Sequence, residues 1–138
     1  MTVKQIETLE DYYSYVEEVG SLRTINHAVH WSDATLQMLG VNLGPRAKRA
    51  LKKALPDSLS YQLGRVFWLA YFRDLNMPAR EFATRVARRS KASSDPDFAL
   101  YPIKGVFGGL KALVKDDDLI EQIRDDLSPE LSKYWEEA

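Results

Sequence analysis

The sequence predicts an all-α protein, a compact helical bundle of about eight helices or helical pieces. Three observations predict it. Apolar residues recur at i, i+3, i+4 and i+7 along most of the 138 residues, the spacing of one face of a helix. No convincing stretch alternates apolar and polar residues as a half-buried strand does. Pro, Gly, Ser and Asp fall between the apolar stripes, where helices start and stop.

Taken in order, residues 7–19 and 23–43 supply the first two helices, with Ser32 or Asp33 as an internal cap. In 45–55, Ala47, Ala50, Leu51, Ala54 and Leu55 form one stripe and Arg46, Lys48, Arg49, Lys52 and Lys53 the outer face. Gly44 caps this helix and Pro45 opens it, because its missing N–H is unneeded at the first position. Pro56 ends it and starts the next. Helix 57–74 carries Leu59, Leu63, Val66, Phe67 and Ala70 on one side, with Trp68, Leu69, Tyr71 and Phe72 elsewhere. A helix apolar nearly all round belongs in the centre of a fold. "NMPAREFATRVARRS" has Asn76 as cap candidate, Pro78 in the first turn and Ala79, Phe82, Ala83 and Val86 inside. "SSDPDF" is a turn with capping chemistry. In 98–114, Pro102 predicts a kink or a late start. "KDDD" places carboxylates at the next helix N-terminus, where the dipole favours them. Leu119, Ile120, Ile123 and Leu127 face inward there, and Ser128-Pro129-Glu130 opens a last helix ending near Trp135.

The chain length suits one domain, 1–138, since domains commonly run ~100–150 residues. There is no cysteine, which removes disulfides and thiolate metal ligands and fits a reducing compartment. The N-terminus lacks the apolar core of a signal peptide. The longest apolar run, "VFWLAYF", is far short of the ~20 residues that cross a bilayer. A soluble cytoplasmic protein is expected. Net charge is −1, yet the charges fall in blocks. Residues 1–44 hold two basic against six acidic side chains, 45–92 twelve against three, 93–115 three against two, and 116–138 two against nine.

"KKALPDSLSYQL" at 52–63 and "RDDLSPELSKYW" at 124–135 say nearly the same thing. At an offset of 72, Leu51, Leu55, Leu59 and Leu63 align with Ile123, Leu127, Leu131 and Trp135. At 71, Leu36, Leu39 and Leu43 align with Phe107, Leu110 and Val114; at 70, Tyr12 and Val16 align with Phe82 and Val86. Single-residue slips in turns explain the drift. The pattern predicts two tandem homologous units, approximately 8–67 and 78–137, packed about a pseudo-twofold axis on a shared core.

"YYSYVEEVG" followed by "ATLQMLGVNLGPRAKRALKKALP", and "PAREFATRVARRS" followed by "VFGGLKALVKDDDLIEQIRDDLSPELSKYW", resemble the bacterial family catalogued as domain of unknown function 2267. The resemblance covers nearly the whole chain. It implies a helical fold of tandem units and supplies no activity, substrate or site.

Catalytic signatures are absent. There is no Gly-x-Ser-x-Gly, no phosphate loop and no cysteine nucleophile. The glycines of "GVFGG" suit close helix packing. His27 and His30 share a helix face with Asp33, but two imidazoles do not complete a zinc or iron site. No cofactor or metal is expected, and no enzyme. The leading expectation is a helical protein-interaction or scaffold module, self-associating as a homodimer through helix 57–74 with Trp68, Tyr71 and Phe72 outward. The alternative is a nucleic-acid or anionic-surface binder that uses the stretches 46–53 and 80–91, through Arg46, Arg49, Lys53, Arg85, Arg88 and Arg89.

Overall fold

A computed structural model describes residues 6–65, 73–90 and 95–138. Among them are eight α-helices and no strand: α1 (Leu9–Val19), α2 (Ile25–Asn42), α3 (Pro45–Ala54), α4 (Asp57–Gly64), α5 (Ala79–Ser90), α6 (Pro96–Val114), α7 (Asp117–Asp126) and α8 (Pro129–Glu137). The all-α class predicted from periodicity is the class observed. None of these helices is long and apolar enough to cross a membrane.

Local chemistry sets most helix starts. Thr8 and Asp11 form a reciprocal capping box at α1, with Thr8 Oγ1 accepting from the Asp11 amide at 3.1 Å. Such pairs satisfy amides that a helix start leaves without partners. Thr24, Asp95, Asp116 and Ser128 accept in the same way at α2, α6, α7 and α8. Proline occupies the first turn of α3, α6 and α8.

Four expectations need correction. Ser32 and Asp33 do not break α2, which runs unbroken to Asn42; the Ser32 hydroxyl is instead hydrogen-bonded to the Tyr12 hydroxyl at 2.6 Å. Helix 57–74 does not reach its expected end: α4 stops at Gly64, and Arg73 and Asp74 are not helical. Residues 66–72, which include Val66, Phe67, Trp68, Tyr71 and Phe72, lie outside the described residues. Asn76 does not cap α5; the Ala79 amide donates to Glu130 Oε1 of α8 at 3.1 Å. Pro102 neither starts nor interrupts α6, which begins at Pro96 and carries Pro102 inside it, buried. A mid-helix proline forfeits one backbone hydrogen bond, and here its ring packs close to α1 at Gly20.

Among the described residues, α2 is the most buried element. Trp31, Ala34, Leu36, Met38 and Leu39 are at most 2% exposed. α2 packs on α1, α4, α5 and α6; α1 packs on α6, and α3 on α4 and α7. The two long helices α2 and α6 thus touch each other, and each also packs on the short helix that precedes the other. Phe107 of α6 sits within 6.2 Å, centroid to centroid, of Phe82, Tyr134 and Trp135. Burying a large apolar side chain is worth about 1.5–3 kcal/mol, so this core outweighs the exposed ion pairs.

The glycines of "GVFGG" let α1 approach. A Cβ on Gly109 would lie 2.8 Å from the Tyr12 ring, and one on Gly105 would lie 3.2 Å from the Val16 Cα. Every buried side-chain nitrogen or oxygen among the described residues has a hydrogen-bond partner.

Candidate functional site

The outer face of α3 follows from its sequence. Ala47 and Leu51 are fully buried against the neighbouring helices, which turns Arg46, Lys48, Arg49, Lys52 and Lys53 outward. Among the described residues none of these five forms an ion pair. Burial holds the Lys48 ammonium below the usual lysine range, and the neighbouring Lys52 charge adds to the effect. Lys52 lies over the end of α4; a Cβ on Gly64 would come 2.6 Å from its Nζ. A helix C-terminus favours a cation. The N-terminus of α3 is tied to α7 through Asp126, which accepts from the Gly44 amide at 3.0 Å and pairs with Arg73 at 3.8 Å. α7 itself exposes Asp117, Asp118, Glu121 and Asp125. A cationic helix therefore lies against an anionic one.

The second basic stretch is organised differently. On α5, Arg85 pairs with Glu81 at 2.7 Å and Arg80 with Asp97 of α6 at 2.9 Å. Arg88 is exposed. Arg89 turns inward: its Nε and Nη2 donate to Gln37 Oε1 of α2 at 2.8 and 2.6 Å. Gln37 Nε2 in turn donates to Gln62 Oε1 of α4 at 2.7 Å. The five arginines and one lysine singled out from sequence thus do not form one patch. Arg46, Arg49 and Lys53 belong to α3; Arg85 and Arg88 belong to the outside of α5; Arg89 belongs to a cleft.

That cleft has a volume of about 780 Å3. It is lined by His27, His30, Asp33 and Gln37 of α2, by Arg65, and by Arg89 of α5, among others. Burial pushes the Asp33 carboxyl above the usual carboxylate range, while the charges of His30 and Arg65 pull it down. His27 and His30 are therefore brought together with Arg89, a grouping that their separate positions in the sequence concealed. Among the described residues no three His, Cys, Asp or Glu side chains are placed to hold a metal ion. Sequence reasoning missed Gln37 and Arg65. Gln37 carried a signal: an amide between Leu36 and Met38 in an apolar helix needs a partner once buried.

A family model described as "Uncharacterized conserved protein (DUF2267)" matches residues 10–134. The chain belongs to this family. The resemblance drawn from "YYSYVEEVG", "PAREFATRVARRS" and the stretches that follow them is thereby the family relationship found. The DUF2267 match runs from the second residue of α1 into α8, so both the α3 face and the cleft lie within it. No curated protein matches the chain, and no solved structure matches it.

Proposed function

We propose that the chain is a non-enzymatic helical interaction module that docks an acidic protein surface on the outer face of α3. One observation carries this reading: five cations within ten residues have no carboxylate partner among the described residues, although Arg80, Arg85 and Arg124 elsewhere do. Like charges held together raise the energy of the free protein, and a partner's carboxylates relieve it. Exposed pairs contribute only about 0.2–1 kcal/mol each. Such a face therefore sets orientation and association rate more than final affinity.

The neighbour of α3 favours a protein over a nucleic acid. The exposed acids of α7 lie beside the cationic helix and repel a continuous phosphate backbone, whereas a protein surface of mixed sign can answer both. The predicted contact residues Trp68, Tyr71 and Phe72 lie outside the described residues and carry no weight here.

The test uses a peptide with one glutamate block and one lysine block and a short single-stranded DNA as probes at low salt. The peptide should bind, weaken steeply as salt rises, and fail to bind the variant Arg49→Glu/Lys53→Glu. DNA binding tighter than peptide binding would turn the reading to the nucleic-acid alternative, and no binding of either would remove both.

A further inference from the structure

We infer that the cleft between α2 and α5 binds a small metabolite bearing an oxyanion and a neighbouring hydroxyl or amine, with Arg89 and Arg65 on the oxyanion and Asp33 on the donor. The volume of about 780 Å3 falls in the range of small-molecule sites, ~300–1,000 Å3. It exceeds what a single phosphate or carboxylate fills, so the ligand has a body as well as a charged head.

The described lining offers polar groups beside its apolar surface. Thr24, Asn26, His27, His30, Gln37 and Ser90 add hydrogen-bonding groups around two guanidinium groups and one carboxylate. The fixed charge of the arginines and Asp33 is net positive, which selects an anion. A guanidinium matches a phosphate or carboxylate through two parallel N–H donors.

Arg89 is held in advance. Gln37 is only 8% exposed, accepts two N–H groups from Arg89, and is itself fixed by Gln62. A side chain ordered before binding loses less entropy on binding. Nothing in the core requires a chain of two glutamines and an arginine across α4, α2 and α5; apolar residues would pack there at lower desolvation cost. Asp33 is half-buried, near enough to Arg65 and His30 to feel their charge. It therefore gives the site an acceptor for a donor on the same ligand. Sugar phosphates and hydroxy- or amino-carboxylates share this chemistry.

The site is independent of the α3 face, none of whose residues lines the cleft. The experiment is calorimetric titration of the full chain with glucose 6-phosphate and with citrate, against chloride at matched ionic strength. At least one probe should bind saturably. Arg89→Ala should weaken it about tenfold or more, the loss of a charge-assisted hydrogen bond. Arg65→Ala should do likewise and reads the same site if Arg89→Ala does not fold. Lys104→Ala, an exposed change on α6, should leave affinity unchanged. A preference for one probe assigns the oxyanion as phosphate or carboxylate. The inference is overturned if neither probe binds more than chloride. It is also overturned if the folded Arg65 and Arg89 variants bind as the parent does, or if Arg49→Glu/Lys53→Glu abolishes binding while those variants retain it.

Discussion

Single atoms decide how close the helices come. A Cβ added at Gly40 would run into the Leu63 carbonyl oxygen, a backbone atom that moves only if α4 moves. Gly40→Ala should therefore destabilise the fold by about 1–3 kcal/mol, the usual cost of overpacking, read as a Tm lower by several degrees. Gly64→Ala makes the contrast. The nearest atoms to its Cβ would be Lys52 Nζ and the end of that flexible side chain, so the Ala should be neutral or gain up to about 1 kcal/mol from helix propensity. Equal losses at both positions would refute the distinction.

Two phenols give the fold a pH limit. Burial raises Tyr12 far above the usual range, against the opposing Ser32 hydrogen bond, and raises Tyr134 to about 12. Both values lie above the ~10 of an unfolded tyrosine. Between these values the unfolded chain binds fewer protons, so stability is whole below pH ~10 and falls as pH rises toward about 12. Tyr134 also donates to the Leu100 carbonyl. Thermal melts from pH 9 upward should show this decline. Tyr134→Phe, although it loses that hydrogen bond at neutral pH, should flatten the slope. A slope unchanged in Tyr134→Phe would count against the assignment.

At the level of elements, the helix ends were the most readable part of the chain. Gly44-Pro45, Pro56, "KDDD" and Ser128-Pro129 mark boundaries by local backbone chemistry alone, and each sits at the helix start that it predicts. Where tertiary contacts decide, local signals mislead. Pro102 is a helix breaker by propensity, yet the α1 contact at Gly20 and the surrounding burial hold it inside α6. Asn76 is a good cap in isolation, but a carboxylate 51 positions away supplies the partner to α5. The burial of α2 was hard to read for a related reason. α2 carries Ser32, Thr35, Gln37 and Asn42, which dilute its apolar signal, and each finds a hydrogen bond only once folded. One element end is left to improve. Lys115, the C-cap of α6, has φ 54°, ψ 23°, the left-handed region that costs a side chain roughly 1–2 kcal/mol. Glycine is favoured there, and the exposed Lys115–Glu7 contact at 4.0 Å adds little. Lys115→Gly should raise Tm by a few degrees, whereas Lys115→Val should lower it; a lower Tm for the glycine variant would show that the lysine side chain matters more than its backbone.

Across the whole molecule, the site was less legible than the core because it joins residues far apart in sequence. Arg89 and Gln37 are 52 positions apart, and no local pattern pairs them. Core positions, by contrast, repeat. Leu51 and Ile123 are fully buried, Leu55 and Leu127 are both 6% exposed, and Leu59 and Leu131 are buried at the next turn. The turns agree as well: Leu55 and Leu127 have φ, ψ of −102°, 154° and −81°, 160°. These matches support reading the chain as two copies of one helical unit, with a mechanical consequence. α1 packs on α6 and α2 on α5, so the first two helices of each half bury apolar surface against the other half as well as against their own. A fragment 1–74 keeps Leu36, Leu39 and Leu51 but loses Phe107, Leu110 and Ile123, their counterparts in the joint core. Losing such residues, at about 1.5–3 kcal/mol each, takes a large share of the roughly 5–15 kcal/mol that a domain usually has in hand. Fragments 1–74 and 75–138 should each lack a cooperative thermal transition by circular dichroism. Mixed in equal amounts, they should regain helicity and a single transition. A sharp transition in either fragment alone would mean that each unit closes its own core, and the interlocked arrangement would then be a docking of two finished domains.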